Sequence, residues 1–166
     1  MTIPIDPLHV PKRYIPDILS KKDTKKQRAY LRKSRRLYKR GTYYERPKVA
    51  SFHSKKSRHL EHARKLYGLK PTDQIAATGL MVRRTQCSRG ALSKILNKGR
   101  GAYYSSGSRP NQTAESWAVA RLASALTGGN AAIVDYSLLE NGCSPTSKAL
   151  KLARKTCKKQ GKCGLK

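Results

Sequence analysis

Between Ser20 and Gly41 the chain carries eleven Lys or Arg side chains and a single acid, Asp23. The segment nevertheless has the signals of a helix. Ser20 and Asp23 stand in S-x-x-D spacing, close to a capping box, and Gly41 sits where a C-terminal stop belongs. Gln27, Tyr30, Leu31, Ser34, Leu37 and Tyr38 recur at i, i+3, i+4 and i+7. Almost everything else on the surface is cationic. A stripe this narrow suits a helix that lies on something rather than inside it. Like charges at i, i+4 weaken such a helix in isolation, so a polyanionic neighbour would stabilise it.

The rest of the chain repeats the imbalance. Formal net charge is +28 over 166 residues, which favours polyanionic partners: nucleic acid, an acidic protein face or an anionic membrane. Residues 1–70 hold 21 basic and 5 acidic side chains, residues 71–142 hold 8 and 4, and residues 143–166 hold 8 and none. The middle is nearly ordinary and the flanks carry the excess, as in a small folded body with basic extensions. Leu, Ile, Val and Phe number 30, too few for a large self-sufficient core in so charged a chain. No apolar run is long enough for a membrane-spanning helix, and Met1–Val10, without a basic residue, does not read as a targeting peptide.

The first twenty residues contain Pro4, Pro7, Pro11 and Pro16, which break any helix and favour an extended path. The same stretch carries Ile3, Ile5, Leu8, Val10 and Ile15, more aliphatic surface than a flexible linker has. These five read as partner-binding residues of an arm docked on a neighbouring subunit. Docking in cis and disorder are the alternatives.

Beyond the first helix, residues 42–53 read as extended or loop, and a second helix is expected over 55–67, ending at Gly68. PTDQIAATG (71–79) reads as one helical turn and LMVRRTQ (80–86) as a short strand. A helix capped by Ser88 should cover 89–97 and stop at Gly99. Residues 98–113, KGRGAYYSSGSRPNQT, read as a Gly/Ser-rich loop. Thr113 should cap a helix over 114–127 with Trp117, Ala120, Ala123 and Leu126 inward. AAIVDY (131–136) reads as a short strand or buried run. Ser144 with Pro145 should open a last helix reaching Lys159, with Ala149, Leu150, Ala153 and Cys157 inward. The expected fold is mainly α: a small helical domain with at most a short β patch. The segments are an arm (1–19), a basic helical segment (20–70), a compact core (71–142) and a basic C-terminal helix and tail (143–166).

Signals of chemistry are few. The Gly/Ser stretch invites comparison with a phosphate cradle, but G-x-x-x-x-G-K-[ST] and G-x-G-x-x-G are both absent. Structural packing, anion contact and a catalytic loop are its three readings, in that order. The middle segment holds four carboxylates and no His, so general acid–base catalysis has little to work with. Cys87, Cys143, Cys157 and Cys163 include no C-x-x-C pair. They read first as buried or free thiols, then as disulfides, and last as zinc ligands. No enzyme, cofactor or metal is expected. Polyanion contact is assigned to Lys25, Arg28, Arg32, Arg35, Arg36, Arg100, Arg109, Lys155 and Lys158.

Three stretches carry a family resemblance: RYIPDILSKKDTKKQ (13–27), KSRRLYKRGTYYERPKVASFHSKKS (33–57) and NKGRGAYYSSGSRPNQTAESWAVARLASALTGGNAAIVDYSLLENGC (97–143). Together they resemble an uncharacterised domain family of large double-stranded DNA viruses that infect algae, the chlorovirus group. The resemblance implies a virion protein and brings no catalytic residues. In that setting the chain is expected to be a minor capsid protein beneath the shell, bridging capsomers through its arm. Its partners would be major and other minor capsid proteins, with genomic double-stranded DNA as a further one. It would sit on the inner face of the capsid, after assembly in the host cytoplasm. The alternative is a DNA-condensing or genome-packaging protein of the virion.

Overall fold

Ser20 starts the first helix as its spacing predicts: its hydroxyl accepts a hydrogen bond from the Asp23 N–H at 3.1 Å. In the computed structural model, which describes residues 8–163, helix α1 runs Lys21–Lys39. It is followed by α2 (Arg58–Tyr67), α3 (Gly79–Thr85), α4 (Arg89–Ser105) and α5 (Ala114–Leu126). Then come α6 (Asn130–Val134), α7 (Tyr136–Gly142) and α8 (Lys148–Gln160), with a 3-10 turn at Lys12–Tyr14 ahead of α1. The described residues are mainly helical; the β structure among them is one antiparallel bridge between Cys87 and Cys143.

They form two compact units, each discontinuous in sequence: residues 8–55 with 101–114, and 56–100 with 115–163. The division cuts across the boundaries read from composition, since the segment 20–70 falls partly in each unit. Helix α4 contributes residues 89–100 to the second unit and 101–105 to the first.

The first unit is held largely by polar contacts. The buried residues of α1 are Asp23, Gln27, Leu31 and Ser34, a stripe at helical spacing with only one aliphatic member. Each polar member has a partner. Asp23 accepts from the N–H and hydroxyl of Ser51, Gln27 donates to the Tyr14 carbonyl at 3.1 Å, and Ser34 donates to the Tyr104 carbonyl at 3.1 Å. Buried polar groups are tolerated only when paired in this way. The Ser51 hydrogen bonds, side chain first and backbone second, hold the Asp23 carboxyl below its usual range. Tyr38, expected on the inner stripe, is exposed instead. At Gly107, with φ +116°, an added Cβ would lie 2.7 Å from the Leu31 side chain. The backbone conformation strains any side chain there, and the Leu31 methyl would have to move aside for it. Asn111 closes the unit by accepting from the Val49 N–H and donating to the Val49 and Phe52 carbonyls.

The second unit has the conventional apolar core. Ala63 and Tyr67 of α2, Met81 of α3, Leu92, Ile95 and Leu96 of α4, Leu122 and Leu126 of α5, Leu139 of α7, and Leu150 of α8 are all buried in it. Tyr67 places its hydroxyl on the Leu126 carbonyl, and burial pushes its pKa well above the ordinary phenol value. The core also contains a charge. Asp135 is 0% exposed and receives two hydrogen bonds from Arg121, at 2.8 and 2.9 Å, with the Lys98 ammonium at 3.4 Å. A carboxylate so buried requires this pairing.

Several expectations are corrected. Residues 80–85 are helical rather than strand, and Gln86 ends the helix in the left-handed conformation: Thr78 caps α3 through its hydroxyl, and Met81 and Thr85 are buried at i, i+4, the helical period. Gly99 does not stop α4. An added Cβ there would lie 2.6 Å from the Ala118 Cα, so the glycine permits α4 and α5 to approach and the helix continues to Ser105. The Gly/Ser stretch is therefore half helix. The inward face of α5 is Ala118, Leu122 and Ala125 with Ala123 and Leu126, while Trp117 and Ala120 are only partly buried. Residues 131–136 belong to α6 and the start of α7, with Ala132 and Leu139 buried and Asp135 between the helices.

Helix α8 begins at Lys148, not Pro145. The Ser144 N–H is bonded to the Gln86 carbonyl and its hydroxyl meets Thr146, so the capping role passes to Ser147, which accepts from the Leu150 N–H at 3.2 Å. Its inner face is as expected: Ala149, Leu150, Ala153 and Cys157. All four cysteines are paired, Cys87 with Cys143 and Cys157 with Cys163, in place of the thiols read first from the sequence.

Candidate nucleic-acid interface

The face of α1 opposite its buried stripe is a continuous cationic surface. Lys21, Lys25, Arg28, Arg32, Arg36 and Lys39 follow one another at spacings of three and four residues, and Lys22, Lys26 and Lys33 lie beside them. At 1.5 Å rise per residue this row is about 27 Å long. The one acid of the helix, Asp23, is turned inward onto Ser51. Among the described residues, no cation of α1 forms an ion pair. The helix thus keeps a series of like-charge i, i+4 neighbours, and the one carboxylate on it, Asp23, acts on Lys22 and Lys26 without forming an ion pair.

The expected polyanion-binding residues divide into exposed and engaged ones. Lys25, Arg28 and Arg36 are exposed on α1. Arg32 is half-buried, and its Nε is a buried donor with no hydrogen-bond partner among the described residues. Arg35 is engaged, donating to the Ser106 carbonyl and, at 3.0 Å, to the His9 carbonyl. Arg109 is exposed in the loop after α4.

In the second unit, Arg100 is committed to Glu115, with hydrogen bonds of 2.8 and 3.1 Å and a further one to Asn97. That pairing raises the Arg100 pKa and lowers that of Glu115. Glu115 is thus an ion-pair partner as well as a first-turn acid of α5, which the sequence alone suggests. Lys155 and Lys158 are exposed on α8 with Lys151, Arg154 and Lys159.

The aliphatic residues of the leader behave differently from one another. Ile3 and Ile5 lie outside the described residues, while Leu8, Val10 and Ile15 are half-buried. Tyr14 and Leu19 between and after them are buried in the first unit, and Gln27 and Arg35 of α1 hold the backbone at Tyr14 and His9. Residues 9–19 are therefore tied down in cis. Ile18 remains 70% exposed.

One feature of the first unit escaped the sequence reading: Arg46 is buried with neutral acceptors around it, Ser34 and Ser108 hydroxyls and the Tyr103 carbonyl. Pro47 beside it reads only as a loop signal, and nothing in the local pattern separates this arginine from the exposed ones.

No group of three or more His, Cys, Asp or Glu among the described residues could hold a metal ion. No helix among them is long and apolar enough to cross a membrane. No curated protein and no solved structure matches the chain. Residues 11–140, from the 3-10 turn through most of α7, match the family of unknown function DUF5824, and the protein belongs to that family.

Proposed function

We propose that this protein is a structural component of a DNA virus particle that acts, without catalysis, by binding polyanion through the outer faces of α1 and α8. The observation that carries the reading is the row from Lys21 to Lys39, unpaired among the described residues. Such a row is costly unless phosphates neutralise it, and phosphate contacts need no base sequence. Genomic nucleic acid is the partner this charge suits best. The test is binding to nucleic acid at increasing salt. The logarithm of the binding constant should fall linearly with the logarithm of salt, by about 0.9 for each phosphate neutralised on duplex DNA. Reversing Lys25, Arg28 and Arg36 to Glu should flatten that line. Salt-independent binding, or none at low ionic strength, overturns the reading.

A second role, as a minor capsid protein bridging capsomers on the inner face of the shell, is favoured by Ile18, a large aliphatic side chain left 70% exposed just before α1. In it the partner-binding segment would be Ile3, Ile5, Leu8, Val10 and Ile15 together with Ile18. Emptied, nuclease-treated capsids washed at high salt should retain the chain, and deletion of residues 1–8 with Ile18→Ser should release it. Loss of the protein with the genome would leave only the polyanion role.

A further inference from the structure

Seven of the nine tyrosines belong to the first unit, and four of them form a ladder. Tyr38, in the last turn of α1, has its ring centre 6.2 Å from that of Tyr43. Tyr43 lies 4.9 Å from Tyr104, and Tyr104 meets Tyr103 edge-on at 5.0 Å. The inner end is anchored, since Tyr103 is buried beneath the Arg46 guanidinium. The outer end is open: Tyr43 is 68% and Tyr38 is 38% exposed. Two aromatic rings in contact with each other are thus left on the surface at the cationic end of α1. Arg36, Lys39 and Arg40 are sequence neighbours of Tyr38 at the end of α1, and the Lys33 ammonium lies 4.5 Å from the Tyr44 ring. The acid at this edge is Glu45, whose charge acts on Tyr104. It disfavours phosphate at the inner end and leaves the Tyr38 end to the cations.

We propose that the Tyr38–Tyr43–Tyr104 ladder is a stacking platform for unpaired bases, so that the first unit takes single-stranded nucleic acid as well as duplex. Two exposed rings on a unit whose first helix is cationic have the composition by which proteins hold single strands without reading their sequence: bases on the rings, phosphates on the charges. A duplex offers no free base face to such rings. The inference rests on the polyanion-binding reading and names one ligand class for it.

The test compares the full-length protein with Tyr43→Ala and Tyr38→Ala/Tyr43→Ala. The probes are a labelled oligothymidylate of about twenty nucleotides, longer than one small domain covers, and a mixed-sequence duplex of similar length. Tyr43→Ala should weaken oligothymidylate binding about tenfold, the size of one lost base stack, with duplex binding unchanged. Tyr43→Trp should restore it. Circular dichroism of each variant should match that of the parent, since Tyr43 is exposed. Unchanged oligothymidylate binding, or equal losses on both probes, overturns the stacking platform while leaving the polyanion reading in place. Failure of the parent protein to bind either probe at low salt overturns both.

Discussion

The Arg46 guanidinium lies 3.8 Å from the centre of the Tyr103 ring and donates to the carbonyl oxygen of the same residue at 2.7 Å. Tyr103 returns the contact, its hydroxyl accepting from the Arg46 N–H at 3.1 Å. Ser34 and Ser108 accept the remaining bonds at 2.8 and 2.7 Å, and no carboxylate among the described residues pairs with the charge. Burial lowers the Arg46 pKa, and the surrounding tyrosines oppose that shift. One forked cation therefore holds residues that are 57 and 62 positions apart in sequence from itself.

Arg46→Met should destabilise the protein by about 2–4 kcal/mol, because the buried Tyr103 carbonyl loses its guanidinium donor and the Ser108 hydroxyl keeps only its bond to the Arg109 carbonyl. Arg46→Lys should recover part of the loss only, since an ammonium cannot reproduce the planar fork or its stacking. Urea denaturation of the two variants checks both. An Arg46→Met protein as stable as the parent would mean that the network contributes nothing.

Gly99 and Gly101 share one helix and should respond oppositely to alanine. At Gly99 the new methyl would meet the Ala118 backbone at 2.6 Å, so Gly99→Ala should cost about 1–3 kcal/mol as α4 and α5 are forced apart. At Gly101 nothing lies within 4 Å of the added Cβ, so Gly101→Ala should gain up to about 1 kcal/mol from helix propensity alone. Thermal melting of the two single variants decides it, and shifts of the same sign would refute the assignment.

The two disulfides should differ in effect. The Cys87–Cys143 bond spans 56 positions and the Cys157–Cys163 bond spans 6. In the chain-entropy account, removing the first should cost about 4 kcal/mol and the second about 2 kcal/mol. Paired Cys→Ser variants measured under oxidising conditions, against the parent with and without reductant, test the ranking.

Acid should weaken the fold through Asp23 and Glu115. Ser51 lowers the first pKa and Arg100 the second, below ordinary values of 3.8 and 4.5. A depressed carboxylate stabilises the folded state fully above its unfolded pKa, and the contribution disappears as pH falls through the native one. Stability should therefore be level from neutrality to about pH 5 and decline below it. Ser51→Ala should flatten the decline. A Ser51→Ala protein with the parent's pH dependence would exclude the Asp23 contribution.

The helical character was readable because capping residues and apolar spacing agree at Ser20, Gly68 and the inner face of α8. The strand readings at 80–86 and 131–136 failed for a common reason. Short runs with three or four adjacent apolar residues satisfy either period, and what decides them is tertiary: Met81 in the core, Asp135 bonded to Arg121. Gly99 misled because a helix-breaking residue and a close-packing residue are the same letter, and only Ala118 distinguishes them. The cationic face was legible residue by residue, but not which members were already engaged. Arg100 and Arg35 look like Arg28 in one dimension. The aromatic ladder joins Tyr43 to Tyr104 across a long stretch of chain, and no local pattern announces such a meeting.

The interleaving of the two units has a consequence during synthesis. Residues 8–55 leave the ribosome before the Tyr103 ring, the Ser108 hydroxyl and the Asn111 amide that complete their unit, which follow some fifty residues later. Until they arrive, α1 emerges as a nascent cationic strip with its polar inner stripe only partly satisfied, beside ribosomal RNA, itself a polyanion. A chain cut short after Arg100 should therefore be a sticky, RNA-laden fragment rather than a smaller version of this protein.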